Sequence, residues 1–250
     1  MTPHKNCGTA WITGAGKGIG RALALRLAAE GWIVAVSART ESDLLSLAEN
    51  APPGRIRPFP LDVTDHAMTA DCINSIEASL GPIMLAVLNA GIYQPIYAAN
   101  FSATIFRDHV ETNLMGTAHG LSTLLPRFIE RKAGKIAVLA SVGGYRGLPT
   151  SAAYGATKAG LINLCEALKP ELDRHNVSLQ VINPGFVETP LTDRNPFPMP
   201  FLISAESAAE YIIRGLAGSR FEIAFPWRFV FLMKILRLLP NRLIFALSRR

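Results

Sequence analysis

The sequence predicts an α/β domain on a doubly wound parallel sheet of about seven strands, ending in a C-terminal amphipathic helical extension. Short β-rich runs alternate with helix-periodic runs along most of the chain. A glycine-rich turn joins the first strand to the first helix, and a basic, apolar tail follows the last strand. The expected strands are Thr9–Thr13, Ile33–Ser37, Ile56–Phe59, Met84–Leu88, Lys135–Ala140, Ser178–Ile182 and Glu222–Phe225. Helices are expected near 18–30, 41–50, 66–80, 102–131, 152–174 and 205–217, with Thr40 as N-cap of the second and acids in its first turn. Apolar strands separated by helices imply a sheet covered on both faces, with its ligand beyond the C-terminal strand ends. Residues 1–226 are read as one domain and 227–250 as a tail.

Bulk properties narrow the classes. A 250-residue chain with 49% hydrophobic residues and a mean hydropathy of +0.24 is long and apolar enough for a sizeable core. Cys7, Cys72 and Cys165 are scattered, fitting neither a metal site nor a disulfide framework, which suits a reducing compartment such as the cytoplasm. Met1–Gly8 lacks the apolar core of a signal peptide. The formal charge is +6, and most of its excess comes from Arg228, Lys234, Arg237, Arg242, Arg249 and Arg250, opposed in that segment only by Glu222. The basic balance therefore belongs to the tail, and a broad nucleic-acid-binding face is not expected.

The first strand runs into Thr13-Gly14-Ala15-Gly16-Lys17-Gly18-Ile19-Gly20. Glycines there permit a tight turn and close backbone approach to a pyrophosphate, which would sit on the helix N-terminus. At the end of the second strand, in Val36-Ser37-Ala38-Arg39-Thr40, the acid that would bond an unmodified ribose is missing. Ser37 and Arg39 are the candidate contacts in this run; Arg39, joined by Lys17, suits a 2′-phosphate. The expected cofactor is NADP(H), with NAD(H) as the alternative. Asp62 and Val63 follow the third strand, where a carboxylate suits the adenine amino group. Asn89-Ala90-Gly91 follows the fourth.

Tyr154 and Lys158 stand four residues apart near the start of a helix-periodic stretch, which places phenol and ammonium on one face. A nearby cation favours phenolate over phenol, so the tyrosine is expected to be drawn toward neutral pH and to serve as a general acid or base. Ser141 ends the fifth strand, where its hydroxyl can bond a substrate carbonyl oxygen.

With Asn113 and Asn183-Pro-Gly-Phe-Val-Glu-Thr189, these motifs resemble the short-chain dehydrogenase/reductase family over roughly residues 8–226. The resemblance implies a Rossmann-type sheet and metal-free, nicotinamide-dependent carbonyl/alcohol chemistry. By resemblance, Asn113, Ser141, Tyr154 and Lys158 form the catalytic set. Lys158 also holds the nicotinamide ribose, and Asn113 anchors a water in the proton relay. Pro184 and Gly185 form the turn leading to Val187 and Thr189, which orient the carboxamide. The family's substrate lid falls at Asn195–Phe201; Phe197 and Phe201, with Tyr145 and Leu148, suggest an apolar substrate pocket beside Ser141 and Tyr154. Members commonly form dimers or tetramers, and a homo-oligomer is expected.

In Trp227–Arg250, cations recur too often and Pro240 breaks the run, so a spanning helix is not expected. A basic amphipathic helix placing Lys234, Arg237 and Asn241 on one face suits the surface of an anionic membrane, making the protein peripheral on its inner face. Such a location suits a hydrophobic or lipid-like substrate. A non-catalytic NADP(H)-binding sensor or scaffold on the same fold is the alternative.

Overall fold

A computed structural model describes residues 8–192 and 199–247. Among the described residues seven strands form one parallel sheet: β1 (Thr9–Thr13), β2 (Ile33–Ser37), β3 (Ile56–Pro58), β4 (Ile83–Leu88), β5 (Lys135–Leu139), β6 (Ser178–Pro184) and β7 (Glu222–Phe225). The spatial order is β3-β2-β1-β4-β5-β6-β7, so the chain reverses direction across the sheet between β1 and β4. Ligand clefts form at such a switch point, because the loops leaving the two neighbouring strands diverge.

The helices are α1 (Gly18–Ala29), α2 (Glu41–Glu49), α3 (His66–Leu80), α4 (Ala103–His109), α5 (Gly116–Glu130), α6 (Ala152–Arg174), α7 (Ala205–Leu216), α8 (Trp227–Leu238) and α9 (Asn241–Leu247). Successive strand side chains point to opposite faces, and this divides the core. Trp11 of β1 joins Phe128, Ile136 and Leu161 on the face covered by α3, α5 and α6. Its neighbours Ala10 and Ile12 join Leu23, Leu44 and Ile212 beneath α1, α2 and α7.

The helix expected over 102–131 is interrupted. Between α4 and α5, Val110–Met115 forms a π-helical turn that contains Asn113. Thr40 does occupy the N-cap of α2, with extended backbone, but its side chain makes no capping hydrogen bond. The acids Glu41 and Asp43 supply the first turn instead.

The tail folds as two helices rather than one. Leu239 leaves the helical region (φ −68°, ψ 141°) because Pro240 crowds the residue before it. Lys234 and Arg237 therefore share α8, while Asn241 opens α9 on a new axis. Phe229, Val230 and Met233 are buried in the core beneath α3, α5 and α6, and Leu236 packs against it. The opposite side of α8 leaves Trp227 69%, Phe231 63% and Leu238 84% exposed, with Leu232 and Ile235 between them. Lys234 bridges to Glu222 of β7, and Arg228 lies over the Trp227 ring, 5.5 Å from its centre.

Candidate active site

A cleft of about 830 Å³ opens above the C-terminal ends of the central strands. Its first wall is the turn between β1 and α1. Gly14 adopts φ +64°, and a Cβ on it would lie 2.8 Å from the Cα of Ala90. Gly18 adopts φ +55°, and its Cβ would meet Thr189 Cγ2 at 2.8 Å. Only glycine accommodates both the positive φ and the close approach. The N-terminus of α1 reaches the cleft at Lys17 and Gly18 with no capping side chain and no acid in its first turn. Its amides and dipole are therefore well placed for an anion such as pyrophosphate.

Gly14, Gly16, Lys17, Gly18, Ile19, Arg39, Asp62, Val63, Asn89, Ala90, Gly91, Pro184, Gly185, Val187 and Thr189 all line this cleft. Thr13, Gly20 and Ser37 do not line it. Thr13 Oγ1 accepts from the backbone N–H groups of Asn89 (3.0 Å) and Ala90 (3.1 Å), so it shapes the cradle from behind. Gly20 makes room: a Cβ there would lie 2.6 Å from both Asn89 Nδ2 and Gly14 O. Ser37 corrects an expected contact. It is wholly buried, accepting the indole N–H of Trp11 at 3.0 Å and lying 3.7 Å from Cys72 Sγ, because its position on β2 points into the core. Lys17 does not stand alone either. Asp43, a cleft residue read from sequence only as part of a helix first turn, lies 3.4 Å from its ammonium.

The inner end of the cleft carries Ser141, Tyr154 and Lys158. Ser141 Oγ accepts the N–H of Gly143 at 3.0 Å, fixing the turn after β5. One helical turn of α6 separates Tyr154 from Lys158, whose Nζ stands 5.5 Å from the phenol ring centre. The Lys158 ammonium donates to the carbonyl of Leu139 at 2.7 Å. Burial pulls its pKa from 10.5 down to about 7.

The electrostatics of the pair differ from the expectation that a cation would draw the phenol toward neutrality. Burial pushes the Tyr154 pKa up, partly offset by a hydrogen bond with Ser141 and reinforced by Tyr93. Desolvation disfavours phenolate and ammonium alike, and it is the largest cause of both shifts.

Asn113 lies just behind the cleft and is fully buried. Its Oδ1 accepts from Ile92 N at 2.7 Å, and its Nδ2 donates to Ile92 O and Thr157 Oγ1, each at 3.1 Å. From α4, His109 Nε2 accepts from Gln94 N at 3.0 Å. The two side chains clamp the loop that carries Tyr93, which meets Tyr154 edge-on with centroids 5.3 Å apart. Tyr93 lines the cleft although no motif in the sequence marks it.

Of the expected substrate residues, Leu148 lines the cleft and Phe197 lies outside the described residues. Tyr145 is turned away: its hydroxyl donates to Glu222, which also accepts from Asn183 Nδ2 at 2.8 Å. Phe201 stands behind the wall, 45% exposed, with its ring 6.3 Å from that of Phe229. Phe186 and Phe229 form the wall itself, at 5.2 Å from each other. The sequence placed Phe186 in the correct turn, but nothing in it connected the tail to the cleft. Among the described residues no cluster of His, Cys, Asp or Glu is arranged to hold a metal.

The short chain dehydrogenase family profile matches residues 8–196. An uncharacterized oxidoreductase of Myxococcus xanthus is 37% identical over 244 residues, covering 97% of this chain and 96% of its own. The 3-oxoacyl-acyl-carrier-protein reductase of Thermotoga maritima is 31% identical over 215 residues, 85% of each chain. A variant of actinorhodin polyketide ketoreductase, solved with NADPH, superposes with a TM-score of 0.79 at 27% identity, covering 87% of this chain and 94% of that one. With the crossover topology, glycine cradle and Ser-Tyr-Lys constellation already described, the match over most of the chain shows that this protein belongs to the short-chain dehydrogenase/reductase family of NAD(P)-dependent oxidoreductases.

Proposed function

We propose that the protein is an NADP(H)-dependent reductase of an apolar carbonyl compound, with Tyr154 as general acid. The observation that carries this reading is one continuous cleft with a glycine-rich anion cradle at one end and Ser141, Tyr154 and Lys158 at the other. The cradle suits a dinucleotide because the glycine-rich turn leads into the uncapped N-terminus of α1, which lines the cleft and carries no acid in its first turn. The relatives include a 3-oxoacyl reductase and a polyketide ketoreductase, which supports carbonyl reduction. Lys17 is engaged by Asp43, so the preference for a 2′-phosphate rests mainly on Arg39 at the end of β2.

Bound nicotinamide supplies the hydride. In the proposed step Ser141 Oγ hydrogen-bonds the carbonyl oxygen, and Tyr154 delivers its phenolic proton to that oxygen as negative charge grows there. Burial holds the Tyr154 phenol above its ordinary pKa, in the protonated form that a general acid needs. Lys158 would hold the nicotinamide ribose and would return a proton to the Tyr154 phenolate. Asn113 would support the site by holding Ile92 and Thr157 in place beside Tyr93 and Lys158. Leu148, Phe186 and Phe229 supply an apolar wall. The reading extends to a homodimer or homotetramer, cytoplasmic and peripheral on the inner membrane face. The outward apolar face of α8 and its nearby cations support contact with anionic lipid; no described helix is long and apolar enough to span a bilayer.

A spectrophotometric screen of NADPH and NADH oxidation against ketones of graded chain length tests this function. Turnover with NADPH and an apolar ketone is expected. Oxidation of neither nucleotide with any carbonyl would overturn it.

A further inference from the structure

Phe229 reaches the cleft from outside the stretch that the family profile matches, residues 8–196. It lies in the first turn of α8 and is 6% exposed. The backbone of Gly185 passes directly beneath it: a Cβ on Gly185 would come within 2.7 Å of the Phe229 ring. Phe186, from the turn after β6, and Phe201, from the segment before α7, stand 5.2 and 6.3 Å from its centre. Those two segments are themselves tied, since Ile203 N donates to Phe186 O at 3.2 Å and Glu188 N to Ile203 O at 2.9 Å. Three rings from three parts of the chain thus meet at one side of the cleft.

The helix that delivers Phe229 is fixed at further points. Lys234 bridges to Glu222, which also takes the Tyr145 hydroxyl, and Arg146 donates to Asn241 at the start of α9. Tyr145 and Arg146 follow the turn held by Ser141 and Gly143, so the tail helices are tied to the backbone that presents the catalytic serine. A rigidly seated ring in a pocket wall selects by excluded volume, since close-packed side chains yield little to an oversized ligand.

We infer that Phe229 is a specificity-determining residue: α8 closes the substrate end of the cleft, and this ring limits the length and bulk of the carbonyl compound admitted. The inference rests on the reading that the carbonyl binds between Ser141 and Tyr154.

The 250-residue chain and its Phe229→Ala and Phe229→Leu variants are compared with short, long and branched alkanones in two assays. One is NADPH oxidation; the other is calorimetric binding of the same ketones to the NADP+-saturated protein. The ratio of kcat/KM for long or branched ketones to that for short ones should rise about tenfold in Phe229→Ala and less in Phe229→Leu, with KM for NADPH nearly unchanged. Binding preference should shift in the same sense. Unchanged ratios and unchanged binding preference in both variants would overturn the assignment. So would a uniform loss for every ketone with a raised KM for NADPH, which would place the ring's role at the Gly185 turn. If the wild-type chain reduced no ketone, the carbonyl-reductase reading would fail while the binding arm still decided the role of Phe229. If Phe229→Ala does not fold, Phe229→Leu and Phe229→Met carry the comparison.

Discussion

The ammonium of Lys158 donates to the carbonyl of Leu139 at 2.7 Å and stands 5.5 Å from the ring centre of Tyr154. Burial lets the lysine release its proton near 7 instead of 10.5. Between those values the unfolded chain binds more protons than the folded one, so this group makes stability rise with pH across that window. Below it, the buried ammonium counts fully against the fold. Thermal melts of wild type and Lys158→Met should therefore differ in a pH-dependent way. The variant's relative stability should be greatest below about pH 7 and decline toward pH 10.5. The lost bond to Leu139 adds a constant offset of about 1 kcal/mol. A pH-independent difference would contradict the buried, shifted lysine.

Glu222 joins β7 to both the tail and the turn after Ser141. Burial alone would raise its pKa, but hydrogen bonds from Lys234, Tyr145 and Asn183 together hold it below 4.5. Its contribution to stability is present above the ordinary carboxylate value and is lost as pH falls through the lower folded value. Glu222→Gln should cost about 1–3 kcal/mol at neutral pH, read by denaturant unfolding, and the difference should shrink under acid conditions.

In the proposed reading, Arg39 at the end of β2 carries the choice of nucleotide. Arg39→Ala should raise KM for NADPH by about tenfold and leave KM for NADH within about twofold, because only the former loses a charge-assisted contact. Steady-state kinetics with each nucleotide decide it.

The two-sided packing of α8 changes how membrane contact is best tested. Deleting the tail would also remove Phe229, Val230 and Met233 from the core. Substituting Phe231, Ile235 and Leu238 together by serine alters the outward face alone. That variant should lose co-sedimentation with anionic vesicles by about tenfold or more, while its turnover of a soluble ketone stays unchanged.

Much of this architecture was legible in the sequence because each strand combines an apolar run with sharp punctuation. β1, β2 and β7 fall at their expected ends, and most others shift by a residue. The glycine cradle was legible for the same reason: its spacing answers a local steric demand. Features set by distant partners were not. The π turn at Val110–Met115 depends on what surrounds Asn113, which bonds the backbone of Ile92. Ser37 and Tyr145 each had two polar destinations, and only the folded neighbours Trp11 and Glu222 decided between them. The composition of the tail marked it as amphipathic, but which apolar side chains turn inward follows from its packing on β7.

If Tyr154 donates the proton in carbonyl reduction, Tyr154→Phe removes that proton and little else. The substitution keeps the ring against Tyr93 and removes only the hydroxyl. NADPH binding, measured by fluorescence titration, should persist while ketone-dependent NADPH oxidation falls by about 10²–10⁴-fold. Retention of wild-type turnover by a folded, NADPH-binding Tyr154→Phe variant would contradict the account.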